Sequence, residues 1–65
     1  MKYYIKERHN PQLGVYYKAE GKLSKKRSKE KEGSLYGHNF MFEYDTEEEY
    51  EQAIRTLKER GERVQ

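Results

Sequence analysis

The chain has 65 residues, 40% charged and 32% hydrophobic, with 14 Lys+Arg against 12 Asp+Glu and no Cys or Trp. That length fits a single domain over residues 1–65 and excludes a multi-domain enzyme. No apolar run exceeds three residues, against about 20 for a membrane-spanning helix, and no secretory signal is expected at the amino terminus. Without cysteine there is neither a disulfide nor a thiolate zinc site, so a reducing, cytoplasmic setting is expected.

Residues 2–8 alternate. Tyr3, Ile5 and Glu7 share one parity; Lys2, Tyr4, Lys6 and Arg8 share the other. Period-two alternation rich in Tyr and Ile reads as a strand. Pro11 fixes its own φ and drives Asn10 out of the helical region, so a turn follows. Residues 13–23 alternate again, with Leu13, Val15, Tyr17, Ala19 and Leu23 on the odd positions and Tyr16, Lys18, Glu20 and Lys22 on the even ones. The two strands are expected to form an antiparallel hairpin. Gly14 and Gly21 are the candidate sites for bulges or bends.

Residues 24–34 contain no apolar side chain. A helix there, capped by Ser24, lacks an apolar face. The expectation is a mobile basic loop or a frayed, solvated helix. Leu35, Tyr36 and Gly37 then bring the chain back to the core.

A third strand follows over 38–44, with His38, Phe40, Phe42 and Tyr44 on one face and Asn39, Met41 and Glu43 on the other. Thr46 and Glu49 have capping-box spacing, and Glu47 to Glu49 sit where a helix dipole favours negative charge. Tyr50, Ala53, Ile54 and Leu57 then fall at i, i+3, i+4 and i+7, one apolar stripe. Gly61 ends the helix, with Lys58 and Arg60 in its last turn.

The expected fold is therefore α+β: a three-stranded antiparallel sheet with one C-terminal helix on one face, in the order β-β-β-α. The expected core is Tyr3, Ile5, Val15, Tyr17, Ala19, Phe40, Phe42, Tyr50, Ala53, Ile54 and Leu57, with Leu13, Leu23 and Leu35 sealing its edges. A size below roughly 70–80 residues limits such a core to about 3–5 kcal/mol, so dimerisation by edge-strand pairing is expected to supplement it.

If one helix covers one sheet face, parity leaves the other open. Tyr4, Lys6, Arg8, Tyr16, Lys18, Glu20, Lys22, Asn39, Met41 and Glu43 should line it, beside the loop bases Lys25, Lys26 and Arg27. Cations that displace counterions from phosphates, together with rings that stack on bases, suit DNA or RNA. Residues 1–32 hold ten bases against four acids, and residues 33–65 four against eight. The charge is therefore polarised as well.

The strand-to-helix junction Tyr44-Asp45-Thr46-Glu47-Glu48-Glu49-Tyr50 resembles the aromatic-x-Thr-x-x-Glu-Ala junction of two DNA-binding families. These are the small arm-binding domains of tyrosine integrases and plant transcription-factor domains of the same β-β-β-α order. The resemblance implies a sheet laid in the major groove and backed by a helix. Tyr50 replaces the Ala, and Glu43 and Asp45 stand where a DNA face prefers bases.

The alternative function is a protein-interaction or inhibitor module. The six acids of residues 43–51, with no base among them, could imitate DNA phosphates for a protein partner. No catalytic residue, cofactor or metal site is expected. His9 and His38 lack converging ligands, and the serines lack a His/Asp partner by pattern. No membrane partner is expected either.

Overall fold

The computed structural model describes residues 1–32 and 38–65. The elements in chain order are β1 (Lys2–Asn10), β2 (Gly14–Leu23), α1 (Lys25–Glu32), β3 (His38–Tyr44) and α2 (Glu47–Glu59). The sheet order is β2-β1-β3, and both outer strands run antiparallel to β1. The expected three-stranded antiparallel sheet and its C-terminal helix are present. The order departs from β-β-β-α by the extra helix α1. The expectations placed on Leu35, Tyr36, Gly37 and the side chains of His38 and Asn39 lie outside the described residues.

Two consequences follow from β1 being central. First, β2 and β3 are parallel to each other, so the chain must cross the sheet between them. Such a crossing needs a dozen or more residues. The segment between Leu23 and His38 supplies it, and α1 lies within that segment. Second, β1 is covered on both faces. Ile5 is fully buried on the α2 side, while Tyr4 and Lys6 are each 6% exposed on the α1 side. The Cα envelope of 32 × 29 × 12 Å fits this layering. Three strands spaced about 4.8 Å apart fill the narrow dimension, and the two helices lie above and below them.

The turn between β1 and β2 is closed by Asn10, whose Oδ1 accepts from the backbone N–H of Gln12 at 2.8 Å and of Leu13 at 3.0 Å. The hairpin register then breaks once. Ile5 pairs with Ala19 but Tyr4 pairs with Gly21, leaving Glu20 as an extra residue in β2. Gly21, at φ 75°, takes a left-handed conformation that a Cβ would disfavour. One extra residue reverses the parity of everything beyond it. Lys22 therefore sits opposite Tyr3, with Nζ 5.9 Å from that ring, on the α2 side. The sequence expectation placed it on the other face.

The cap of α2 forms largely as expected. Thr46 Oγ1 accepts from the N–H of Glu49 at 3.2 Å, and Glu49 Oε2 accepts from the N–H of Asp45 at 3.3 Å. At the far end, Gly61 N–H donates to Lys58 O and Glu62 N–H to Leu57 O, both at 3.0 Å, the paired bonds of a Schellman ending. This turns the chain back along β2. Tyr17 N–H donates to Arg63 O at 2.8 Å, Gln65 N–H to Tyr17 O at 2.7 Å, and Ala19 N–H to Gln65 O at 3.1 Å. The tail thus covers part of the outer edge of β2 in parallel pairing. The edge-strand pairing expected from the sequence is thus blocked at Tyr17 and Ala19 by the chain's own tail.

The apolar core is smaller than the sequence suggested. Ile5 and Tyr50 are buried, whereas Phe40, Phe42, Val15 and Leu13 are 51%, 42%, 41% and 57% exposed. Tyr50 stacks on Tyr3 at 5.4 Å, which draws the start of α2 to that end of the sheet. Further along, an open cleft of about 450 Å3 separates helix and sheet, lined by Phe42, Tyr17, Leu57 and Arg60 among others.

Candidate functional site

The structure divides the proposed nucleic-acid face. Tyr4 and Lys6 are removed from it, because α1 lies over them. Parity suggested this face was open because residues 24–34 offer nothing apolar to cover it. The cover is polar instead. Ser24, Ser28 and Lys31 fall at i, i+4 and i+7 on one side of α1. Ser28 is buried, and its Oγ donates to Lys25 O at 2.8 Å. Two small serines let the helix approach the sheet closely. Lys31 pairs at 3.4 Å with Glu20, the bulge residue, whose side chain is 5% exposed.

Lys6 completes the arrangement. Its Nζ donates to the backbone carbonyl of Lys31, in the last turn of α1, where the helix dipole is negative and carbonyls lack partners. Burial lowers the Lys6 pKa, and Arg8, Lys31 and Lys18 add to the lowering against the opposing pull of Glu20. Tyr4 is held by its hydroxyl, which donates to Glu43 Oε1 at 3.2 Å. Lys6 therefore ties the sheet to α1, and Tyr4 ties β1 to β3; both are buried where an open face was expected.

Other expected contacts remain at the surface. Lys25, Lys26 and Arg27 are exposed on α1, and so is Lys29, which the sequence reading did not single out. Its signal was available: at about 100° per residue, Lys25, Lys26 and Lys29 point away from the Ser24–Ser28–Lys31 stripe. The N–H of Arg27 donates to Ser24 Oγ at 3.2 Å, so the expected serine cap is present. Lys18 is exposed, and Arg8 lies 6.0 Å from the Tyr16 ring that is its strand partner. Asn39 is the β3 partner of Arg8. Lys22 is on the opposite face, as described above.

The electrostatics follow this layering. α1 carries five bases and two acids, net +3, and α2 two bases and five acids, net −3. The two helices lie on opposite faces of a thin sheet. Lys2, a further exposed base, is engaged by acids of its own chain: Asp45 at 3.0 Å and Glu43 at 3.4 Å. Those contacts raise its pKa, the Asp45 hydrogen bond most.

A second polar group lies on the α2 side. Glu7 accepts the Tyr17 hydroxyl at 2.9 Å on one oxygen and meets His9 Nε2 at 2.8 Å on the other. The His9 contact is the main cause holding the Glu7 carboxyl below its ordinary 4.5, against the opposing effect of burial. The native state then binds this proton later than the unfolded chain. Stability contributed by Glu7 is present above the ordinary carboxylate range and is lost as pH falls through the folded value. Glu7→Gln should therefore flatten the acid limb of a stability-against-pH curve from urea titrations. An unchanged acid limb would refute this role. Among the described residues no three His, Asp or Glu side chains are grouped to hold a metal ion.

Comparison of the chain with protein-family models, with curated proteins and with solved structures gives no match. The DNA-binding domains with a similar strand-to-helix junction lay one open sheet face into a groove. Here both faces of the central strand are covered at Tyr4, Ile5 and Lys6, so neither sheet face is open throughout. No helix among the described residues is long and apolar enough to cross a membrane.

Proposed function

We propose that the protein is a small nucleic-acid-binding module whose contact surface is the outer side of α1 together with the neighbouring end of the hairpin. The observation that carries this reading is the division of labour within α1. Its inner stripe is engaged by the sheet, while Lys25, Lys26, Arg27 and Lys29 remain exposed. A packed helix holds its cations in fixed relation and so pays less ordering entropy on binding than a disordered basic segment. Arg8, Tyr16 and Lys18 extend the surface along the sheet. The acidic α2 on the opposite face orients the molecule toward a polyanion. Contacts of this kind bind phosphates and carry no sequence information.

The test is anisotropy with labelled duplex and single-stranded oligonucleotides over a salt series. Five phosphate contacts would give a slope of about −4.5 in log K against log[salt] on duplex DNA. The triple variant Lys25→Glu, Lys26→Glu, Lys29→Glu should abolish binding with its circular dichroism preserved. Lys22→Glu, on the other face, should bind as the parent does. Wild-type affinity in the triple variant, or equal loss in the Lys22 variant, overturns the proposal.

A protein-interaction reading rests on a different observation, the exposure of Phe40 and Phe42 on β3. Binding of that kind would persist in high salt and be lost on Phe42→Lys.

A further inference from the structure

We propose that β3 is a self-association edge: two copies pair their β3 strands antiparallel about Met41, joining two three-stranded sheets into one of six strands. This inference is independent of the nucleic-acid reading.

The two outer strands of the sheet are treated differently. The outer side of β2 carries the chain's own tail through the backbone bonds of Tyr17 and Ala19. The other outer strand, β3, pairs with β1, and no other strand among the described residues lies against it. Exposed edges are normally blunted by Lys, Pro, a bulge or an inward charge. The β3 sequence, HNFMFEY, holds no Lys, Arg or Pro, and its register with β1 is unbroken. Its one acid, Glu43, is engaged within its own chain by Lys2 and Tyr4. A strand edge left without a neighbouring strand among the described residues, with two exposed Phe rings, satisfies its backbone groups best against another strand.

The strand is also complementary to itself. Met41 is the midpoint of His38–Tyr44, so pairing about it overlaps all seven residues. In that register Phe40 of each copy lies opposite Phe42 of the other. Both belong to the α2 side, because they pair with Glu7 and Ile5 on β1. Directly opposed aromatic residues are the favourable cross-strand arrangement. Glu43 faces Asn39 of the second copy, so no like charges are opposed. The symmetry axis runs perpendicular to the sheet, which keeps corresponding faces together. Both α1 helices then share one face and both α2 helices the other.

The size of the contact sets its strength. The four Phe rings, each about half exposed, would remove roughly 400 Å2 of apolar surface from water. With the paired backbones this remains below the roughly 1,200–2,000 Å2 of a standard interface. The expected association is therefore weak and concentration-dependent.

Sedimentation equilibrium on the full chain, without nucleic acid and in high salt, tests it. The mass should rise from 7.9 kDa toward twice that value with concentration. Phe40→Lys and Phe42→Lys should hold it at the monomer value with circular dichroism unchanged. Because the chain has no cysteine, the double variant Phe40→Cys, Phe42→Cys should form an inter-chain disulfide on mild oxidation. A monomer mass up to roughly 1 mM overturns the proposal. So does a wild-type dimer whose F40C/F42C form fails to cross-link, since that dimer would use another surface. Neither result bears on nucleic-acid binding, which is read separately and should weaken with the same salt.

Discussion

Tyr50→Ala should leave the chain largely unfolded in water, while Tyr50→Phe should cost only about 1–2 kcal/mol. Tyr50 is the most buried side chain of α2, at 8% exposure. Its ring lies 5.4 Å from Tyr3, and its hydroxyl accepts the N–H of Gly21 at 3.1 Å. That N–H belongs to the bulge, where the regular ladder is interrupted and a backbone donor needs a partner elsewhere. Truncating a buried aromatic to Ala costs about 3–5 kcal/mol. A core this small supplies about the same amount in total. The Phe variant keeps the packing and loses one hydrogen bond, leaving the Gly21 N–H unsatisfied, at about 1–2 kcal/mol. Urea unfolding followed by circular dichroism separates the two. A cooperative transition for Tyr50→Ala with the parent's midpoint would show that α2 is held by something other than this anchor.

Lys31→Met should release α1 from the sheet without unfolding the rest. Lys31 neutralises Glu20, whose Oε1 is buried without a hydrogen-bond partner among the described residues. Removing the lysine leaves a carboxylate beneath the helix with Lys6 as its remaining favourable charge. Since Lys31 keeps about a third of its side-chain exposure, the expected cost is about 2–3 kcal/mol, between that of an exposed pair and a buried one. It should fall on α1, which offers no apolar face of its own. Amide exchange over residues 25–32 should accelerate while α2 stays protected. Adding Glu20→Leu should restore protection, because removing both charges is far cheaper than removing one. Parent-like protection in the single variant would contradict the account. Loss of α1 should also weaken nucleic-acid binding, since its cations would return to a disordered segment.

The site was legible as composition and only partly as place. The sequence identified Arg8, Tyr16, Lys18, Lys25, Lys26 and Arg27 as one basic group, and these remain at or near the surface on the α1 side. It misplaced three residues. Tyr4 and Lys6 are buried because the cover over them is made of serines, a helix carbonyl and ion pairs, which a search for an apolar stripe cannot see. Lys22 changed face because parity counting assumes an unbroken strand. Gly21 marked the position of the bulge, but not that Glu20 would be the added residue. Phe40 and Phe42 were read as core because alternation reports which residues share a face, not how far a helix extends over it.

Local chemistry determined what depends on neighbours in the chain. The three strands, the Asn10 turn, the Thr46 cap, the stripe of α2 and its Gly61 ending all follow from spacings of a few residues, where propensity and hydrogen-bond geometry act directly. Strand order, the covering of β1 by α1, and the tail along β2 were decided only in three dimensions. Each joins residues far apart in sequence through backbone groups or charges, and those carry no periodic signature. The central place of β1 follows from the crossing made by α1, and that crossing rests on a lysine and a glutamate that look like solvated surface residues until the chain is folded.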